Sequence, residues 1–317
     1  MKIGILMMMA NKEPSLRNAE AFKEYVIKDY VNLKNSNKLE NDYKFIFYYG
    51  DNLSETSIYK IDDNITYIHT CNDDDIYSTY EKTIEAFKKL DEIDNFDYIV
   101  RINISMFLNI RLLDKIAKSL DPNIIYCNAI NAVLDQVYTN TIYPRGDLYI
   151  MSTDMIRKII NKSDIFYINR KNPEDYNKQF KLKIDHVDDL LLGCTLKEAL
   201  GDDYFKHIKM IYYNLIMKSI QEDEDISNML NKHIIGTRLK TTPPGELSGY
   251  SDDNDYRLND ILKFKKCYEY FFQFEYEKGL TINHLLVDES NSRPLTAVNY
   301  ISCSVKDIKD YLNKKGA

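Results

Sequence analysis

At 317 residues the chain can bury a substantial core, as one large α/β domain or two smaller ones. With 44% hydrophobic and 29% charged residues it is too apolar to be disordered, and a net charge of -7 with acids and bases interspersed excludes broad electrostatic capture of nucleic acid or anionic membrane. Five cysteines, Cys71, Cys127, Cys194, Cys267 and Cys303, are far apart and odd in number, which speaks against a disulfide framework or a zinc knuckle. The apolar N-terminal run is too short for a spanning helix and lacks a small-residue cleavage site, so a soluble, cytoplasmic protein without a membrane span is expected.

Ile3 to Met9 is a nearly continuous apolar run, the pattern of a strand covered on both faces. Turn residues at Asn11 to Ser15 precede Phe22, Val26, Tyr30 and Leu33, which fall at helical spacing, and Tyr43 to Tyr49 resumes as a strand. Ile65 to His69 gives a third strand. Asp73, Asp74 and Asp75 suit the positive end of a helix running to about Leu90, whose stripe of Ile76, Tyr80, Ile84, Phe87 and Leu90 leaves Lys82 and Lys88 off the core-facing line.

Tyr98 to Ile102 predicts the next strand, Ile110 to Leu120 a helix, and Ile124 to Cys127 a short strand. Asn128 to Arg145 shows no sustained periodicity and is long enough for a functional loop. Leu148 to Met151 reads as a strand, with Ser152 to Asp154 capping a helix through Ile160. Asn161 to Lys181 is loop-like, Asp185 to Leu200 helical, and Ile208 to Leu215 a final strand. Pro243-Pro244-Gly245 marks a boundary between residues 1–245 and a helical C-terminal extension, 246–317, whose aromatic-rich helix from about Leu258 to Lys278 should pack back on the domain. Strands alternating with helices predict an α/β fold with a mostly parallel central sheet, flanked by helices, and a binding crevice at the carboxyl ends of the strands.

The chain has no G-x-G-x-x-G, Walker-type or G-x-S-x-G loop, which removes the main support for dinucleotide, P-loop and serine-hydrolase readings. Asp188 and Asp189 stand in the first turn of a helix, where the dipole favours their ionised form. An ionised carboxylate there suits a general base that deprotonates an attacking hydroxyl, and helix capping is the plain alternative.

Four segments in order change the balance: Tyr80-Glu-Lys-Thr83, Asp97 through Phe107, Gly146 through Ser152, and Asp188 through Gly193. Through them the chain resembles the Fringe and β-1,3-galactosyltransferase type of glycosyltransferase, over roughly residues 77 to 200, with a weaker echo at His233-Ile-Ile-Gly-Thr-Arg238. The resemblance implies a GT-A-type nucleotide-sugar-binding fold and inverting transfer from a nucleotide-diphosphate sugar, UDP-linked by analogy, to a hydroxyl of a glycan. Asp189 matches the family's catalytic carboxylate and Asp188 its acidic neighbour. Lys82 matches a lysine near the donor, and Gly146 the glycine opening the sugar-facing strand; Asp147 beside it is a candidate hydrogen-bond acceptor for sugar hydroxyls or a simple turn aspartate.

Where that family carries three metal-binding aspartates, this chain reads Asn103, Ile104 and Ser105, which lack the charge a hard cation prefers. No metal ligand is therefore assigned, a tightly held manganese or magnesium ion is not expected, and His233 reads as structural. Arg101 or another cationic side chain is expected to neutralise the diphosphate bidentately, with a strand-end salt bridge as its alternative role. Ala10 and Asn11, past the first strand, should border the base. The donor-binding set is thus Ala10, Asn11, Lys82, Arg101, Asn103, Ser105 and Asp147, with Asp189 facing residues 101–105 across a single cleft. A catalytically silent sugar-nucleotide or glycan-binding module of the same fold, and a nucleotidyltransferase, are the competing readings.

Overall fold

The computed structural model describes residues 1–74, 78–133, 140–164, 188–241, 257–295, 297–298 and 303–315. The first apolar run forms β1 (Lys2–Met8), followed by β2 (Asp42–Gly50), β3 (Ser57–Lys60), β4 (Ile65–Thr70), β5 (Tyr98–Asn103), β6 (Met106–Leu108) and β7 (Ile125–Cys127). Then come β8 (Ile130–Val133), β9 (Thr141–Pro144), β10 (Leu148–Ser152), β11 (Ile208–Met210), β12 (Asn214–Ile216), β13 (Gly236–Leu239) and β14 (Ala297–Val298). Eight of these make one sheet in the order β11-β7-β10-β5-β1-β2-β4-β3, and the rest make two three-stranded sheets, β12-β13-β6 and β14-β8-β9. β1 pairs in parallel with both β2 and β5, while β10 and β3 run antiparallel to their neighbours, so the sheet is mostly parallel.

Strand alternation divides the core in two. Ile3, Ile5 and Met7 face a layer containing Phe22, Phe107 and Phe264, and Leu6 faces the opposite layer with Ile84, Phe87 and Leu191. Helices cover both faces: on the first, Ser15–Phe22 continues through a π-helical stretch, Lys23–Ile27, into Lys28–Asn35; on the second lie Thr79–Lys88, Thr153–Ser163 and Asp188–Leu200. The helix Asn259–Phe272 belongs to the first layer. Phe264 meets Phe22 edge-on at 6.4 Å, and Phe271 stacks on Phe107 at 5.5 Å. The helix Val305–Lys315 buries Val305 and Ile308 in the second layer, and Lys309 Nζ donates to the Ile208 carbonyl at 2.7 Å. Among the described residues, no helix is long and apolar enough to cross a membrane.

Several elements depart from the sequence reading. The helix expected from Asp73 starts only at Thr79, because Asp74 is engaged as a connector: its carboxylate accepts from the Asn11 and Gly50 amides. Within 128–145, β8 and β9 pair antiparallel from Ile130↔Pro144 to Val133↔Thr141. All four residues of β9 are buried, so it shows no period-two pattern. The run 208–215 splits between β11 and β12, in different sheets, and the helix from Ile110 ends at Ile116 in a 3-10 turn, Ala117–Ser119. The aromatic-rich helix stops at Phe272. Pro243-Pro244-Gly245, most of the loop expected at 161–181 and the tip 134–139 lie outside the described residues.

Burial pushes the thiols of Cys127 and Cys194 up, to about 12 and about 11, raises Cys267 further, and lowers Lys263 to about 8. A thiol whose folded-state pKa is raised contributes stability that is complete below its unfolded value near 9 and is lost as pH rises towards the folded value. Lys263 acts oppositely, since its burial cost disappears as it deprotonates above pH 8. Three thiols outweigh one amine, so urea unfolding at constant ionic strength should show a loss of about 2 kcal/mol or more between pH 9 and pH 10. A flat profile over that interval would contradict the burial of these groups.

Candidate functional site

Strand order reverses at β1, with β2 on one side and β5 on the other, so the segments leaving the carboxyl ends of β1 and β5 diverge and leave a crevice between them. A cleft of about 560 Å³ occupies it, lined by Met8 to Ala10 and Lys12 to Ser15 after β1, by Asn103 to Ser105 after β5, and by Asp74, Thr79 and Lys82. Arg238, Lys240 and Arg257 complete the wall. The small sheet delivers the first two of these: β13 pairs antiparallel with β6, Arg238 opposite Met106, and the Leu239 amide donates to the Ser105 carbonyl at 2.8 Å. Residues 238 and 240 alternate along an extended segment and so project to one side.

The cations of this cleft are backed by carboxylates. Lys82, only 3% exposed, lies 3.4 Å from Asp74, which also fixes the Asn11 amide at 2.7 Å. Of the two readings of Lys82, a plain helix-surface lysine is the one its burial does not fit: Asp74, reaching in from the preceding connector, makes burial of the ammonium tolerable. Arg238 pairs with the buried Asp147, which Arg145 Nε approaches at 3.0 Å on its other oxygen. Asp147 thus anchors two arginines. Arg257 Nε donates to Asp260 Oδ2 at 2.5 Å.

Asp189 and Arg101 line a second, smaller pocket, with Thr79, Tyr80, Thr83, Ile84, Tyr149 and Leu192. Thr79 lines both spaces, so the carboxylate and the strand end are neighbours, though not across the single cleft expected. Arg101 does not line the large cleft. The residue is 2% exposed, and its guanidinium donates from Nε to Tyr48 Oη at 3.1 Å and lies 5.6 Å from the Tyr149 ring centroid. Burial works against its charge, yet Tyr48, Tyr149 and Asp189 raise its pKa on balance. Gly146 permits this arrangement: a Cβ there would collide with the Asp189 carboxylate and stand 2.8 Å from Arg101 Nη1. Asp188 opens the helix Asp188–Leu200, and its side chain lies outside the described set.

Of the residues named from sequence, Ala10, Lys82, Asn103 and Ser105 come together on the cleft; Asn11 adjoins it through Asp74; Asp147 stands behind Arg238; and Arg101 lines the smaller pocket with Asp189. His233 is not on the cleft wall. Lys12, Asp74, Lys240 and Arg257 carried no sequence assignment to the site. The alternation Arg238-Leu239-Lys240 was the available signal for Lys240.

The strand end at 103–105 does not fit a hard divalent cation. Asn103 Oδ1 already accepts from the Ser105 amide at 3.1 Å and hydroxyl at 2.9 Å, Ile104 is apolar and buried, and five cationic side chains line the cleft against the carboxylates of Glu13 and Asp74. Among the described residues, no three His, Cys, Asp or Glu side chains gather as metal ligands.

No protein-family model matches the chain, and no curated protein does. Among solved structures, the chain is similar to a glycosyltransferase involved in the glycosylation of the major capsid of PBCV-1, at 9% identity and a TM-score of 0.40, over 84% of this chain and 99% of that one. It is also similar to the galactosyltransferase LgtC in complex with donor and acceptor sugar analogs, at 12% identity and a TM-score of 0.38, over 83% and 95% of the two chains. Likenesses at these scores assign neither family nor activity, and the functional reading rests on the site itself.

The Gly146 contact yields a direct expectation. Gly146→Ala should lower stability to urea by about 1–3 kcal/mol, as overpacking does where a neighbour must move. Unchanged unfolding would mean that Asp189 and Arg101 do not converge on this glycine.

Proposed function

We propose that this chain is a GT-A-type glycosyltransferase that moves a sugar from a nucleoside-diphosphate sugar, UDP-linked by preference, to a glycan hydroxyl with inversion. One observation carries the reading: a cationic cleft at the switch point of a mostly parallel sheet shares a wall residue, Thr79, with a pocket holding a carboxylate. A diphosphate leaving group develops negative charge as its bond to the anomeric carbon breaks, and Lys82, Arg238 and Lys240 are positioned to stabilise that charge without a metal. Asp189 takes the proton of the acceptor hydroxyl as its oxygen bonds the anomeric carbon from the face opposite the departing diphosphate. Arg101 shares its pocket and feels its charge. The affinity to the Fringe type belongs to this proposal, resting on the four sequence segments.

A second reading has its own observation. Asp189 borders the small pocket and not the large cleft, and its place beside buried Arg101 is a structural reason for a carboxylate there. That favours a silent module that binds sugar nucleotides.

Incubation with a panel of UDP- and GDP-sugars should release free nucleoside diphosphate, slowly with water and faster with a suitable glycan. Asp189→Asn should cut turnover by about 10²–10⁴-fold while leaving donor affinity nearly unchanged, because the base acts on the acceptor proton. Donor-induced thermal stabilisation without turnover by the unmodified protein would select the silent module instead. Excess chelator should leave activity intact; activity that vanishes and returns with manganese would defeat the metal-free reading.

A further inference from the structure

The sequence segments that resemble the Fringe type end before the C-terminal helix, yet the residues leading into that helix contribute to the cleft. Arg257, just ahead of Asn259–Phe272, lines it with a side chain only 10% exposed. Its Nε is bound by Asp260 Oδ2, and among the described residues neither Nη1 nor Nη2 makes a hydrogen bond. A nearly buried guanidinium with two terminal donors on a cleft wall suits an incoming oxyanion.

The support behind Arg257 is built into the core. Asp260 is fully buried, and its Oδ1 accepts from the Thr241 amide at 2.8 Å and the Thr241 hydroxyl at 2.7 Å. Lys263, also fully buried, donates to Thr241 Oγ1 at 2.7 Å and to the Ile216 carbonyl at 3.0 Å, with its Nζ 4.0 Å from Asp260 Oδ1. Two cations thus share one carboxylate, which leaves the cluster with a surplus positive charge beside the cleft. An ion pair needing only mutual neutralisation would use one cation. Thr241 directly follows Lys240 of the cleft wall, so the same network fixes the end of the β13 segment.

Resting on the donor reading above, we propose that Arg257 is a donor-binding residue that presents Nη1 and Nη2 to the phosphate oxygens of a nucleoside diphosphate, and that Asp260 is its positioning residue. The segment leading into the C-terminal helix is then part of the donor site, and the helix supplies its support through Asp260. Arg257 lines the same cleft as Lys82, and the strand-end residues there supply no metal-binding carboxylate.

Titration calorimetry in excess chelator, with UDP and GDP and with the matching monophosphates, tests this. Arg257→Gln should weaken the better-bound diphosphate about tenfold or more and its monophosphate much less. Asp260→Asn should produce a smaller loss of the same selectivity, and that loss should vanish in the Arg257→Gln background, which a general loss of fold would not do. Arg257→Lys, which keeps the charge but not the fork, should recover only part of the affinity. Wild-type binding that Arg257→Gln leaves intact, or that it weakens equally for mono- and diphosphate, overturns this proposal and leaves the donor reading standing. Absence of diphosphate binding by the wild type removes the donor reading and this proposal together.

Discussion

A full positive charge sits inside this protein, at Arg101 of a central strand, and much of the site's arrangement follows from accommodating it. An isolated buried guanidinium is too costly to persist, so the surrounding chain has to supply compensation. Tyr48 from β2 accepts from Nε, Met8 from β1 receives Nη2 at 3.0 Å, and Tyr149 from β10 offers its ring. The negative charge comes from Asp189, far along the chain. The helix bearing Asp189 can approach so closely because its Gly193 has no Cβ, which would stand 2.5 Å from Tyr143 Cβ on β9, and because Gly146 leaves room for the carboxylate. Two glycines and one buried charge therefore place the candidate base.

The same pairing recurs around the larger cleft. Asp74 backs Lys82, Asp147 backs Arg238, and Asp260 backs Arg257. In each pair the acid is less exposed than a surface carboxylate, and it restrains a long cationic side chain that would otherwise lose considerable rotamer entropy on meeting a ligand. A chain whose net charge is -7 can thus present a locally cationic cleft: the acids nearest the site are committed to holding cations, and the remaining excess of acids is elsewhere.

How much of this was legible in the residues depends on how far apart in sequence the deciding contacts are. β1, β2 and β5 were readable because strands buried on both faces write continuous apolar runs, and their parallel alternation with helices located the crevice. Asn103 and Ser105 were singled out through the resemblance, at the places of the family's metal-binding aspartates, and both line the cleft. For Lys82 the resemblance offered a place near the donor and the helical wheel a surface lysine; the wheel describes one helix and cannot show the connector carrying Asp74. β9 was missed because it is buried throughout, and β6 and β13 because strands of three and four residues carry little periodicity. Arg101 was singled out to hold the diphosphate but does not line the large cleft; that its side chain turns to the core is decided by Tyr48 and Asp189, which a local reading does not join.

Arg257 was the least legible of all, and the reason is structural. It follows a Pro-Pro-Gly that reads as a domain boundary, so local punctuation separates it from the cleft that it lines. What joins them is burial. Lys263 keeps its ammonium inside the protein only because the Ile216 carbonyl of β12 and the Thr241 hydroxyl accept from it and Asp260 offsets its charge. Those partners come from both sides of the apparent boundary, and Phe264 beside them packs on Phe22 of the first helix and Phe107 of β6. A segment held by a buried ion network and an aromatic cluster cannot leave without exposing both, so the helix Asn259–Phe272 fixes Arg257, just ahead of it, on the cleft wall.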